Sequence, residues 1–359
     1  VTEELFRSDD LLVRRVGRHG GRCCVVTFDS FTDIRTLERS GFGEAFFDHA
    51  GIDAVHVLSR DNDWYHYPEM IEAMGCVAAA GQGYQRVVAY GSSMGAYAAI
   101  RFGGLAGAHV ILALSPQYSI DPAVVPWERR WRESGRQFNG RWEQTLAFPS
   151  VDEAYVVYDP ENNDNKHVSL LAEKFRFEPI AIAFGGHPIS GMLAEVGLLQ
   201  KLILDICASQ FDQPAFMACV LERQSVSAQC LINRAARIPA RQRPRRLAAM
   251  DEARQLAPAN LAVINRLAIE HRFARQFAEA LDLHRHALEL APGHPNMLLE
   301  YSITLEKSGD AEAALAVMEE LDAHTSGARI YQPRLRALRQ KVARPGITAM
   351  LRARLSGKA

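Results

Sequence analysis

The chain has 359 residues, enough for two domains of ordinary size, and 48% of them are apolar, enough to bury a sizeable core. Acid and base nearly cancel, to a formal charge of −1, so nothing in the balance marks a nucleic-acid or anionic-membrane binder. There is no 18-residue apolar run, no signal-like N-terminus and no CxxC spacing among the six cysteines, so the expectation is reduced thiols, a cytoplasmic setting and no membrane span.

The first half alternates short apolar runs with helix-like segments. CCVVTF (23–28), DAVHVLS (53–59), RVVAY (86–90), AHVILAL (108–114), AYVVYD (154–159) and PIAIAF (179–184) read as strands. Between them, residues 41–51, the run PEMIEAMGCVAAAGQ and the run SMGAYAAIRFGG carry helical spacing, and residues 191–209 read as a final covering helix. Strands this uniformly rich in Val, Ile and Leu, separated by helices, predict a mostly parallel sheet covered on both faces.

One junction stands out. YGSSMGAYAAI (90–100) places Gly91 and Gly95 around Ser93, where a strand gives way to a small-residue helix. A hydroxyl held out in a strained turn needs small neighbours, because strand and helix meet there with little room. The helix beginning at Met94 also turns its free N–H groups towards that hydroxyl, which favours developing negative charge. Ser92 competes for the role but occupies the variable position of the Gly-x-Ser-x-Gly pattern. Elsewhere no metal-ligand spacing and no phosphate-binding glycine loop occurs, and His284 and His286, two apart on a helix, face different ways; no cofactor is expected.

On these residues the first part of the chain, about 20–205, resembles the α/β-hydrolase superfamily. The resemblance implies a nucleophile, an acid and a histidine in that chain order. Ser93 is the nucleophile. Asp164, in the loop PENNDNKH before the helix SLLAEKF, where the family keeps its acid, is the favoured acid, with Asp159, at the end of its strand, the alternative and Glu161 behind them. His187, in the loop GGHPIS after the next strand, is the implied base, and His167 the alternative. An oxyanion hole would use the N–H of Met94 and that of Ser30 or Phe31 in DSFTD, a loop that departs from the family's common His-Gly form. More narrowly, VVTFDSF, DNDWYHYPEM and GSSMGAYAA are similar to bacterial hydrolase-like proteins of glycan acylation and accessory secretion, which implies an acyl ester on a sugar as substrate. Trp64 and Tyr65 in DNDWYHYPEM are then candidate substrate-binding rings, since aromatic faces pack against sugars. The segment 122–144 reads as a small cap, with Trp127, Trp131, Arg129 and Arg130 available to a ligand or simply solvated.

The second half has no strand-like run. The basic stretch ARQRPRR (240–246) reads as a solvated linker or helix start. LAPAN at Leu256 returns as LAPGH at Leu290, and Leu267, Ala280, Ala287 and Pro292 find counterparts in Tyr301, Gly309, Ala314 and Leu321. Small residues at fixed spacing let paired helices approach, and the prolines end each second helix. Residues about 260–323 resemble tetratricopeptide repeats, preceded by a partial unit with Met250, Ala253 and Pro258. The expected organisation is a catalytic domain over 1–210, helical repeats over 211–345 and a tail over 346–359. Three functions are consistent with this: a serine hydrolase or acyltransferase acting on an ester, an inactive hydrolase-fold scaffold whose repeats bind a partner protein or a second copy, and a peptidase, which no particular residue favours.

Overall fold

The charged N-terminus is a β-hairpin that the sequence reading did not anticipate. β1 (Thr2–Arg7) and β2 (Leu11–Val16) pair antiparallel, and the Ser8 hydroxyl closes the turn by accepting from the N–H groups of Asp10 and Leu11. Charged residues mask its apolar content: Leu11, Leu12 and Val13 are buried, while Arg15 pairs with Glu3 across the hairpin. The computed structural model describes residues 2–343 apart from 18, 19, 33, 326 and 329; the expected tail, 346–359, lies outside them.

Six further strands follow: β3 (Cys23–Phe28), β4 (Asp53–Ser59), β5 (Arg86–Ser92), β6 (Val110–Leu114), β7 (Glu153–Tyr158) and β8 (Glu178–Ala181). They join the hairpin in one sheet of order β1-β2-β4-β3-β5-β6-β7-β8. β2 meets β4 antiparallel, and every pairing from β4 through β8 is parallel. Alternate side chains of a strand leave on opposite faces, so each strand feeds two cores. On one face Val26, Phe28, Ala89 and Ile111 pack with α2 (Met70–Gly81), α3 (Met94–Phe102) and α6 (Asp164–Ala172). On the other, Val25, Val88, Leu112 and Ile180 pack with α1 (Glu44–His49), α7 (Ser190–Glu195), α8 (Leu199–Cys207) and α9 (Gln213–Gln224). Two short helices, α4 (Arg132–Gln137) and α5 (Arg141–Thr145), lie in the long connection from β6 to β7. The helix expected over 191–209 is two helices, because Gly197 takes a φ of +70° between α7 and α8 and turns the chain.

The described residues form two compact units that divide between Asn233 and Arg234, later than the 210/211 boundary expected from sequence. Phe216, Val220 and Cys230, on α9 and α10 (Ala228–Ala236), are buried in the second core of the sheet, which draws that segment into the first unit.

The second unit is helical among its described residues. α11 (Arg243–Leu256), whose start carries the basic stretch, is followed by α12 (Leu261–Phe273), α13 (Phe277–Leu290), α14 (Pro295–Ser308), α15 (Ala311–His324) and α16 (Gln332–Ala343). Asn260 and Asp310 cap α12 and α15 by accepting from first-turn N–H groups. Ala280, Ala287 and Ala314 are fully buried, as close helix packing requires. No helix among the described residues is long and apolar enough to cross a membrane.

Candidate active site

The site is built at the carboxyl edge of the parallel strands, where loops after β3, β5, β6, β7 and β8 converge. Ser93 sits between β5 and α3 with φ 54° and ψ −116°, a backbone conformation that few side chains tolerate. Its N–H donates to the Leu114 carbonyl, which ties the turn to β6. The two glycines are there for space. A Cβ on Gly91 would stand 2.2 Å from the backbone of Gly95, and one on Gly95 would stand 2.3 Å from the Phe28 carbonyl oxygen. The tight approach of β3, β5 and α3 therefore excludes any side chain at either position.

The Ser93 hydroxyl lies 3.0 Å from His187 Nε2, and His187 Nδ1 lies 2.8 Å from Asp164 Oδ2. Ser92 points elsewhere, to the Ser190 hydroxyl at 3.1 Å. Asp164 is fully buried and caps its charge twice, since Arg130 Nη1 donates to its Oδ1 at 2.9 Å. Burial opposes ionisation, but the hydrogen bond from His187 and the charges of His187 and Arg130 outweigh it and hold the carboxyl below its ordinary range. An ionised Asp164 accepts only, so His187 carries a proton on Nδ1, and in the neutral ring Nε2 is the bare nitrogen that faces the serine.

The histidine loop is pinned by two side chains. Asp159 accepts from the N–H groups of Phe184 and Gly186 at 3.1 and 2.9 Å, and also from Glu161. The Ser115 hydroxyl accepts from Ile189 N–H at 3.0 Å. Asp159 thus braces the loop, and Asp164 is the carboxylate that meets the imidazole. Glu161 enters only through its backbone. His167 is buried away from Ser93: its Nδ1 accepts from Tyr118 N–H and its Nε2 meets Glu128 Oε2 at 3.1 Å.

No acceptor for the N–H groups of Ser30, Phe31 and Met94 is found among the described residues. The Ser30 hydroxyl is committed to the Ser92 carbonyl at 2.9 Å, so only its backbone is available. Trp64 and Tyr65 require a correction: neither has exposed surface, so neither presents a face to a sugar. Both have positive φ, 56° and 61°, which folds the loop inward. Tyr65 donates to the Val57 carbonyl in the core, and Trp64 Nε1 donates to Gln117 Oε1 at 3.2 Å. The aromatic ring beside the site is Trp131, half-buried, 5.2 Å from Phe31 and 6.0 Å from His187 between ring centroids. Arg130 is not free for a ligand either, being shared between Glu128 and Asp164. Gln117 and Glu128 escaped the sequence reading. The available signal was positional: both follow β6, whose end faces the same edge as Ser93.

The connection from β6 to β7 is held by a buried polar chain. His66 Nε2 meets the Tyr97 hydroxyl at 2.8 Å, Tyr97 donates to Glu143 Oε1 at 3.0 Å, and the Ser119 hydroxyl donates to Glu143 Oε2 at 2.8 Å. Burial raises the Glu143 carboxyl from 4.5 to about 7, against the lowering effect of Ser119, Arg101 and Tyr97. Glu143 in the folded protein then keeps a proton that the unfolded chain releases near 4.5, so its contribution to stability falls as pH rises from about 4.5 to about 7. Glu143→Gln is expected to flatten that part of the profile, read as the urea midpoint at half-unit pH steps.

Among the described residues no cluster of three or more His, Cys, Asp or Glu side chains could hold a metal.

Residues 274–342 match the tetratricopeptide repeat family. That span runs from the loop before α13 to the end of α16, so it starts later and reaches further than the repeat read from sequence. No match is found among curated proteins. Among solved structures, the capsule O-acetyltransferase of Neisseria meningitidis serogroup A is similar at 12% identity and a TM-score of 0.41, over 55% of this chain and 93% of that one.

Proposed function

We propose that the first unit is a serine-dependent acyl-transfer enzyme of the α/β-hydrolase type, a hydrolase or acyltransferase acting on an ester. The observation that carries this reading is the continuous chain Ser93 Oγ, His187 Nε2, His187 Nδ1, Asp164 Oδ2, with links of 3.0 and 2.8 Å. The antiparallel hairpin followed by a parallel sheet, and the Ser93 turn between β5 and α3, support the fold part of the reading. Ser93 attacks the ester carbonyl while its proton passes to His187 Nε2; Asp164 holds the resulting imidazolium. The carbonyl oxygen takes the electron pair and is met by the N–H of Met94 and of Ser30 or Phe31. Collapse expels the alcohol, which leaves with the proton from His187. Water or another hydroxyl then enters by the same steps and releases the acyl group. An O-acyl group on a glycan is the substrate class that the sequence resemblance favours. The match of residues 274–342 supports a second, separate role, docking of a protein partner on the repeats.

A fluorophosphonate probe tests the enzymatic reading. Labelling of the wild type that disappears in Ser93→Ala is the expected result. An unlabelled wild type would leave the scaffold reading, with the repeats as the working part.

A further inference from the structure

Ser93 Oγ has a second neighbour besides His187. Gln117 Nε2 lies 3.4 Å from it, in a buried position just after β6. An amide has a donating and an accepting end, and here the surroundings decide which end faces the serine. Trp64 Nε1–H can only donate, and it is 3.2 Å from Gln117 Oε1. The Ser115 carbonyl can only accept, and it is 3.2 Å from Gln117 Nε2. Turning the amide over would set donor against donor and acceptor against acceptor at two buried contacts. The NH2 end is therefore fixed towards Ser93.

That has a consequence for the hydroxyl. With Gln117 donating to it, Oγ accepts on that side, and its own hydrogen is left for His187 Nε2. We propose that Gln117 is a further catalytic residue, whose side-chain N–H touches the reacting oxygen and directs the Ser93 proton at His187. The inference rests on the enzymatic reading above. During attack the O–H bond breaks to Nε2, the Oγ–carbon bond forms from the lone pair that Gln117 does not occupy, and the carbonyl electron pair moves to its oxygen. In deacylation the Oγ–carbon bond breaks, Oγ recovers its proton from His187, and the Gln117 N–H meets the charge that gathers on the departing oxygen. Trp64 is then a positioning residue. Its left-handed backbone, φ 56°, is the strain that brings the indole under Gln117.

The test is the rate of fluorophosphonate labelling of the full chain across pH. Gln117→Leu is expected to slow labelling by about 10- to 100-fold, less than a short oxyanion donor because the bond is long. Gln117→Glu keeps the acceptor for Trp64 but loses the donor to Ser93. Its labelling should fall as pH rises and the new carboxylate ionises, a loss that the wild type should not show. Trp64→Phe frees the amide to turn and should slow labelling to a smaller degree, with no further loss when added to Gln117→Leu. If Gln117→Leu is too unstable to assay, Gln117→Glu and Trp64→Phe carry the test. Wild-type rates and a wild-type pH profile in folded Gln117 variants would overturn this role alone. A wild type without Ser93-dependent labelling would overturn the enzymatic reading and this one with it.

Discussion

Asp164→Asn is expected to slow fluorophosphonate labelling of Ser93 by about 10⁴-fold, the scale set by losing the correct histidine tautomer in a serine triad. The reason is specific to this site. Arg130 Nη1 donates to Asp164 Oδ1, and a guanidinium can only donate. An asparagine at 164 must keep its carbonyl oxygen on Arg130, which turns its NH2 towards His187 Nδ1. The imidazole then has to accept on Nδ1 and carry its proton on Nε2, where the serine needs a base. Removing the constraint should recover part of the rate: in an Arg130→Met background the amide is free to turn, and the same exchange should cost about ten times less. Equal losses in both backgrounds would show that Arg130 does not set the orientation.

Gly95→Ala is expected to produce a large loss of stability in the first unit. The new Cβ would meet the Phe28 carbonyl oxygen at 2.3 Å and the Asp29 carbonyl oxygen at 2.9 Å. Both are backbone atoms of a central strand and its exit, so no rotamer change relieves the contact. Overpacking against flexible side chains costs about 1–3 kcal/mol; against fixed backbone the cost should reach about 3 kcal/mol or more. The check is the denaturant midpoint, with Gly75→Ala as control, since a Cβ at Gly75 meets nothing within 4 Å. A midpoint shift no larger than that of the control would mean that the strand and helix can separate.

What could be read from sequence was what depends on neighbours in the chain. The Ser93 turn announces itself because two glycines, a strand and a small-residue helix all fall within residues 86–102. Asp164 and His187 were legible as an order of polar loops after successive strands, and the structure brings both to Ser93. The choice between Asp159 and Asp164 was not legible, since each stands near the end of β7 and only the folded loop shows which faces the imidazole. The hairpin β1–β2 was hidden by the charges that flank its short buried run Leu11, Leu12 and Val13. Trp64 and Tyr65 misled for a related reason. A run of aromatics between polar residues reads as surface, whereas two successive positive φ values fold these rings into the core. Arg130 and Gln117 belong to no motif. Their partners lie 34 and 24 residues away, and such distances carry no local signal.

The bridge Glu128–Arg130–Asp164 makes the connection between β6 and β7 more than a covering over the sheet. It lends the acid its counter-charge from outside the strand-and-loop framework that holds the serine and the histidine. A graft that exchanged this connection for another of equal length would leave a dry carboxylate answered by the imidazole alone, unless the donor segment delivered a cation to the same oxygen. The segment and the acid therefore have to be transplanted, or redesigned, as one inheritance.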